Sequence, residues 1–127
     1  MDKLVQITSD AVPEPETNNF CNALRLGNQL FMSGMTASDP DADAYAQSFA
    51  CFEKIQALVE AAGGTMADVV KITVFLTDIA YRTEFSRARA EFFPDRKPCS
   101  TLVAISALAH PDLVVEVEAI AFIDAVE

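Results

Sequence analysis

Val69-Val70-Lys71-Ile72-Thr73-Val74-Phe75-Leu76-Thr77 is the stretch that decides how this chain folds. Six of the nine residues are β-branched, and apolar residues run almost without interruption. That is the pattern of a strand packed centrally in a sheet or buried on both faces. Helical patterns flank it on both sides. Upstream, Phe49, Phe52, Ile55, Val59 and Ala62 recur at spacings of three and four from Tyr45 onward, with Gln47, Glu53, Lys54 and Glu60 elsewhere on the wheel. The acidic run Asp39-Pro40-Asp41-Ala42-Asp43 supplies an N-cap, and Gly63-Gly64 supplies the stop. Downstream, Phe85, Ala88 and Phe92 mark a second helix over about 83–93, ended by Pro94.

Further out the pattern turns to strands. Residues 3–9 alternate apolar and polar, as a half-buried strand does, and 10–18 read as a loop. Residues 20–26 and 29–34 flank Gly27-Asn28, the signature of a hairpin. Residues 100–107 and 113–123 form the last two strands. The order is therefore β-β-β-α-β-α-β-β, an α+β fold with a mixed sheet and both helices on one face. In the final strand Val115, Val117, Ala119 and Ala121 share one face, while Glu116 and Glu118 share the other, about 6.6 Å apart. Two readings of that pair stand open: a solvated sheet face, or an anionic group lining a cleft where a carboxylate orients water or holds a proton.

Composition narrows the function classes. The 127 residues fit a single domain spanning 1–127, and 51% hydrophobic content with nine Phe supports a packed core. Nine Lys and Arg against nineteen Asp and Glu give a net charge of −10 with no basic stripe, so nucleic acid is not an expected partner. Neither a signal peptide nor a membrane span is recognisable, so a cytoplasmic protein with no membrane partner is expected. Cys21, Cys51 and Cys99 form no CxxC pair, and His110 is the sole histidine, so neither a disulfide framework nor a metal site is expected. Cys51 falls inside the first helix as a small buried or boundary residue. Cys99 has no evident activating base unless His110 comes close, and it reads as a packed cysteine at a strand entry, facing away from residue 100.

Several blocks in order then carry a resemblance: Leu26-Gly27-Asn28 with Phe31-Met32-Ser33-Gly34, residues 55–64 running into 66–71, Thr73 to Asp78, Phe92-Phe93-Pro94, and Val115 to Ala121. From about residue 15 onward the chain resembles the Rid/YjgF/endoribonuclease L-PSP family. The resemblance implies a chorismate-mutase-like fold, a homotrimer with a central barrel of sheets, and ligand clefts between neighbouring subunits. It also implies cofactor-free hydrolysis of reactive enamines and imines, such as 2-aminoacrylate, to 2-oxo acids and ammonia.

Position by position, the family's water-positioning glutamate falls at Glu116 and its serine-glycine at Ser33-Gly34. The cleft aromatic, commonly tyrosine, falls at Phe20, and an asparagine of the second helix at Ser86. The family's substrate-clamping arginine falls at Ser100, followed by Thr101, and a frequent cysteine at Leu102. Ser offers neither the charge nor the paired bonds of Arg. Arg96 and Arg25 are therefore candidates to reach the cleft in its place, and the hydroxyls of Ser100 and Thr101 could donate more weakly. Three functions follow: a hydrolase or deaminase of an imine, enamine or aminomuconate-like unsaturated amino acid; a non-catalytic trimer binding a small metabolite as sensor or carrier; and a ribonuclease, which the acidity disfavours.

Overall fold

The computed structural model describes residues 3–124. The outermost positions of the 1–127 domain expected from sequence lie outside them. The elements run β1 (Leu4–Gln6), β2 (Ala23–Leu26), β3 (Gln29–Met35), α1 (Ala44–Ala61), β4 (Val69–Leu76), α2 (Arg82–Phe92), β5 (Cys99–Ala104) and β6 (Val115–Phe122), with 3-10 turns at Met66–Asp68 and Ile79–Tyr81. This is the order expected from the sequence.

The strands form one six-stranded sheet in the order β1-β2-β3-β6-β4-β5. Only β4 and β5 pair in parallel, joined by the α2 crossover, and the other neighbours are antiparallel. The last strand in the chain, β6, thus lies between β3 and β4, and β4 is buried on its helix side alone. Leu30 and Met32 of β3, Ile72, Val74 and Leu76 of β4, and Val115, Val117 and Ala119 of β6 point into the core under the helices.

Both helices pack on that face. α1 starts where Asp43 accepts a hydrogen bond from the Ala46 amide at 2.8 Å. It ends where Gly63 takes φ +91°, a left-handed conformation that glycine adopts without strain. The amides of Gly63 and Gly64 then return to the carbonyls of Glu60 and Val59 at 3.0 and 2.9 Å. Between the helices, the Phe52 ring meets Phe85, Phe92 and Phe93 at centroid distances of 5.5, 5.3 and 5.7 Å. The buried Gln47 ties α1 to the β5–β6 connection: its Nε2 donates to the Asp112 carbonyl and its Oε1 accepts from the Val114 amide.

Three expectations change. β1 is not half-buried: it is a short edge strand with Leu4, Val5 and Gln6 all exposed, because no helix reaches the sheet's end beside β2. The second strand begins at Ala23, which leaves Phe20 in the preceding loop. Cys99 is exposed rather than packed, because β5 is the opposite edge and residue 99 sits on the helix-free face. Cys51 is fully buried, and burial pushes its thiol up to about 12.

Candidate functional site

The expected site residues fall into two groups. The first lies where β3 bulges beside β6. The register between these strands shifts between Met32 and Met35, and Ser33-Gly34 occupy the irregularity. Gly34 faces Glu116 so closely that a Cβ there would stand 2.7 Å from the Glu116 Cδ. The missing side chain is what lets the carboxylate lie against β3. On its other flank Glu116 is opposite Phe75 of β4 in register. Glu116 is half-buried, and its pKa is raised first by that burial and then by the charge of Glu118 two residues along the same face. The Ser33 hydroxyl donates to the Cys21 carbonyl at 2.7 Å, and its amide donates to the Asn22 carbonyl at 2.8 Å. The segment after Phe20 is thereby held against the bulge, while the Phe20 ring is 59% exposed.

The second group lies on the other face of the sheet, between β5 and α2. Ser100 pairs with Ile72 in register and therefore points to the helix side. There its Oγ accepts a hydrogen bond from Arg89 Nη1 at 2.9 Å, and Arg89 Nη2 reaches Ser86 Oγ at 3.4 Å. Ser86, Arg89 and Ser100 line a cleft of about 330 Å³ with Phe93, Lys97 and Pro98. Thr101 alternates to the opposite face, where it accepts from Lys71 Nζ at 2.5 Å, so Ser100 and Thr101 do not act together within one chain. Leu102 shares the helix side with Ser100 and lines the adjoining cleft along α2.

The arginines considered from sequence are engaged elsewhere. Arg25 donates to the carbonyls of Gly27 and Ala62, and so caps the C-terminus of α1. Arg96 donates to the Ala67 carbonyl. The arginine at the second group is Arg89, which the sequence reading did not single out. Its signal was the i, i+3 spacing from Ser86 on one helix face. His110 accepts from the Asp112 amide within its own turn. The loop that carries it leaves the far end of β5, about 16 Å along the strand from Cys99, so these two do not form a pair. Among the described residues no group of three or more His, Cys, Asp or Glu side chains could hold a metal ion.

A sheet with this order, two helices on one face and a glycine-backed glutamate on its central strand invites comparison with known proteins. The sequence profile described as Endoribonuclease L-PSP matches residues 11–123. The chain belongs to the endoribonuclease L-PSP family. A RutC family protein of Pyrococcus horikoshii is 34% identical over 122 residues, covering 91% of this chain and 95% of that protein. Among solved structures, a protein of unknown function from Pseudomonas aeruginosa is 38% identical, with a TM-score of 0.92 over 98% of this chain and 95% of that one. RidA from an Antarctic Psychrobacter is 31% identical, with a TM-score of 0.86 over 94% of this chain and 99% of that one. The Rid/YjgF resemblance and the fold it implied hold for this L-PSP family chain. No helix among its described residues is long and apolar enough to cross a membrane.

Proposed function

We propose that the chain is a cofactor-independent cytoplasmic hydrolase of a reactive imine or enamine, with Glu116 handling water and protons. The observation that carries this is the Glu116 carboxylate, half-buried against Gly34 with its pKa raised above the ordinary carboxylate range. A carboxyl in that condition exchanges protons closer to neutral pH than a solvated one. In this reaction Glu116 accepts a proton from a water that adds to the imine carbon. Glu116 returns that proton to the nitrogen to give a carbinolamine. The remaining hydroxyl proton then passes by way of the same carboxylate to the nitrogen as the C–N bond breaks and the C=O bond forms, so water and imine become a carbonyl compound and ammonia. An enamine enters the same sequence after protonation at its β-carbon.

The separation of the two groups supports a site shared between copies. Glu116 and Ser100 face opposite sides of one sheet with β4 between their strands, so a ligand touching both draws them from different chains. The helix-free face exposes Phe31, Val103 and Phe122, each by at least 40%, and offers an apolar surface for the homotrimer. Serine at position 100 favours a second reading, a trimer that binds a metabolite without turning it over. The charge of −10 argues against ribonuclease action.

The test is ammonia release in a coupled assay, with enamines generated enzymatically in the same vessel. Turnover by the wild type and its loss in Glu116→Gln are expected. A wild type no faster than Glu116→Gln on every substrate overturns the hydrolase, and ligand-dependent thermal stabilisation without product favours the binding-only trimer.

A further inference from the structure

Five of the chain's nine cationic side chains fall between residues 82 and 97, in a protein with nineteen acidic residues. Residues 82, 86 and 89 recur at spacings of four and three, and so form one face of α2. Two adjoining clefts, of about 800 and 330 Å³, lie along this face and share Ser86, Arg89 and Ala90. Both are within the size range of small-molecule sites.

Arg89 stands at their junction. Its guanidinium carbon lies 5.3 Å from the Phe85 ring centroid, and two of its five N–H groups go to Ser86 and Ser100. Three remain. No carboxylate among the described residues pairs with it. Neighbouring cations are differently placed: Lys97 donates to the carbonyls of Phe93 and Pro94, and Arg87 lies over the Tyr45 ring at 4.2 Å. Because both serine oxygens accept from Arg89, their O–H groups are left to donate to a guest beside the guanidinium. The result is a planar cation with spare N–H donors, flanked by two hydroxyl donors, opening on a cleft in an otherwise acidic protein.

We infer that Arg89, held by Ser86 and Ser100, is an anion clamp for the carboxylate of a small organic acid. Its planar fork matches a carboxylate with two parallel bonds, which a lysine ammonium cannot reproduce. The inference deepens the proposed function and rests on it only in making the imine substrate an imino acid; carboxylate binding stands without turnover.

The experiment is calorimetric titration of the full chain with pyruvate and with its neutral amide, pyruvamide, at physiological salt. Melting temperatures of every variant check the fold. The wild type binds pyruvate in preference to pyruvamide, and Arg89→Gln weakens pyruvate binding about tenfold or more. Arg89→Lys recovers only part of that affinity. Arg82→Gln, which removes the same charge one to two turns earlier on the same helix face, has a much smaller effect because exposed charges are screened. Absence of saturable pyruvate binding, equal binding of pyruvamide, full affinity in Arg89→Lys, or an Arg82→Gln loss equal to that of Arg89→Gln each overturns the clamp. Ammonia release separates the two ideas. Turnover and pyruvate binding both unchanged by Arg89→Gln remove the clamp and leave the hydrolase, whereas Arg89-dependent pyruvate binding without turnover keeps the clamp and removes the hydrolase.

Discussion

Replacing Gly34 with alanine should separate function from stability at a single atom. The new Cβ would lie 2.7 Å from Glu116 Cδ and 2.9 Å from its Cγ and Oε2. Carbon atoms rest about 3.5–4.0 Å apart, so the carboxylate must retreat by about 1 Å. Gly34 is not among the positive-φ residues, and alanine meets no torsional penalty there. The atoms that give way belong to a flexible, half-exposed side chain. A rotamer shift costs about 0.5–1.5 kcal/mol, offset by roughly 0.4–1 kcal/mol from the smaller entropy of the unfolded alanine chain. Net stability should therefore change by less than about 1 kcal/mol, a few degrees in Tm. Activity should respond far more, because a misplacement of about 1 Å can cost on the order of 10²-fold in rate.

Ammonia release, thermal melts and an NMR titration of the Glu116 carboxyl measure these effects together. In Gly34→Ala the carboxyl, pushed toward water, should titrate at a lower pH than in the wild type. Combining Gly34→Ala with Glu116→Gln should cost little more than Glu116→Gln alone, since both act through one group. A Gly34→Ala protein that melts tens of degrees early, or that keeps wild-type turnover with an unmoved Glu116 titration, would refute the reasoning.

Burial and Glu118 raise the Glu116 pKa in the fold, so the native state holds this proton more tightly than the unfolded chain does. Its contribution to stability therefore falls as pH rises from the ordinary carboxylate range through the raised value. Glu116→Gln should stabilise the protein at pH 7 in urea titrations, with a smaller gain at pH 4; the opposite trend would contradict the assignment. Phe52→Ala removes a fully buried ring that meets three others and should cost about 3–5 kcal/mol in chemical denaturation. A loss below 1 kcal/mol would mean that the aromatic cluster closes over the gap. Cys51, with its thiol raised to about 12 and no exposed surface, should react with Ellman's reagent only as fast as the protein unfolds, and prompt labelling in the native state would count against its burial.

Local patterns made most of this fold legible. The Asp43 cap, the Gly63-Gly64 stop and the alternation of β6 each follow from the chemistry of a few neighbouring residues, and the structure keeps all three. Edge positions were harder to read. The alternation of residues 3–9 looks half-buried, but burial depends on whether a helix covers that end of the sheet, which no local pattern states. The exposure of Cys99 follows instead from its place on the helix-free face of an edge strand. In the candidate site, the resemblance names Gly34 and Glu116 separately, and only the structure sets these residues, 82 positions apart, against each other. Arg89 is not legible in this way, because neither Arg25 nor Arg96 lies on α2, whereas the guanidinium that meets Ser100 comes from that helix. Ser100 and Thr101, expected from the sequence to donate together, face opposite sides as the alternation of a strand requires.

The place of β6 has a consequence for how the chain is made. Its partners β3 and β4 are synthesised well before it, and neither is the other's neighbour in the sheet. Until residues 115–122 leave the ribosome, the nascent protein consists of a β1–β2–β3 ribbon and a β4–α2–β5 unit, with unsatisfied edges on the two strands that await insertion. Such edges are templates for pairing with other chains. Loss of the last strand would leave α1 packed between two sheet fragments with no strand hydrogen-bonded to both, so residues 115–122 are what make the molecule a single sheet.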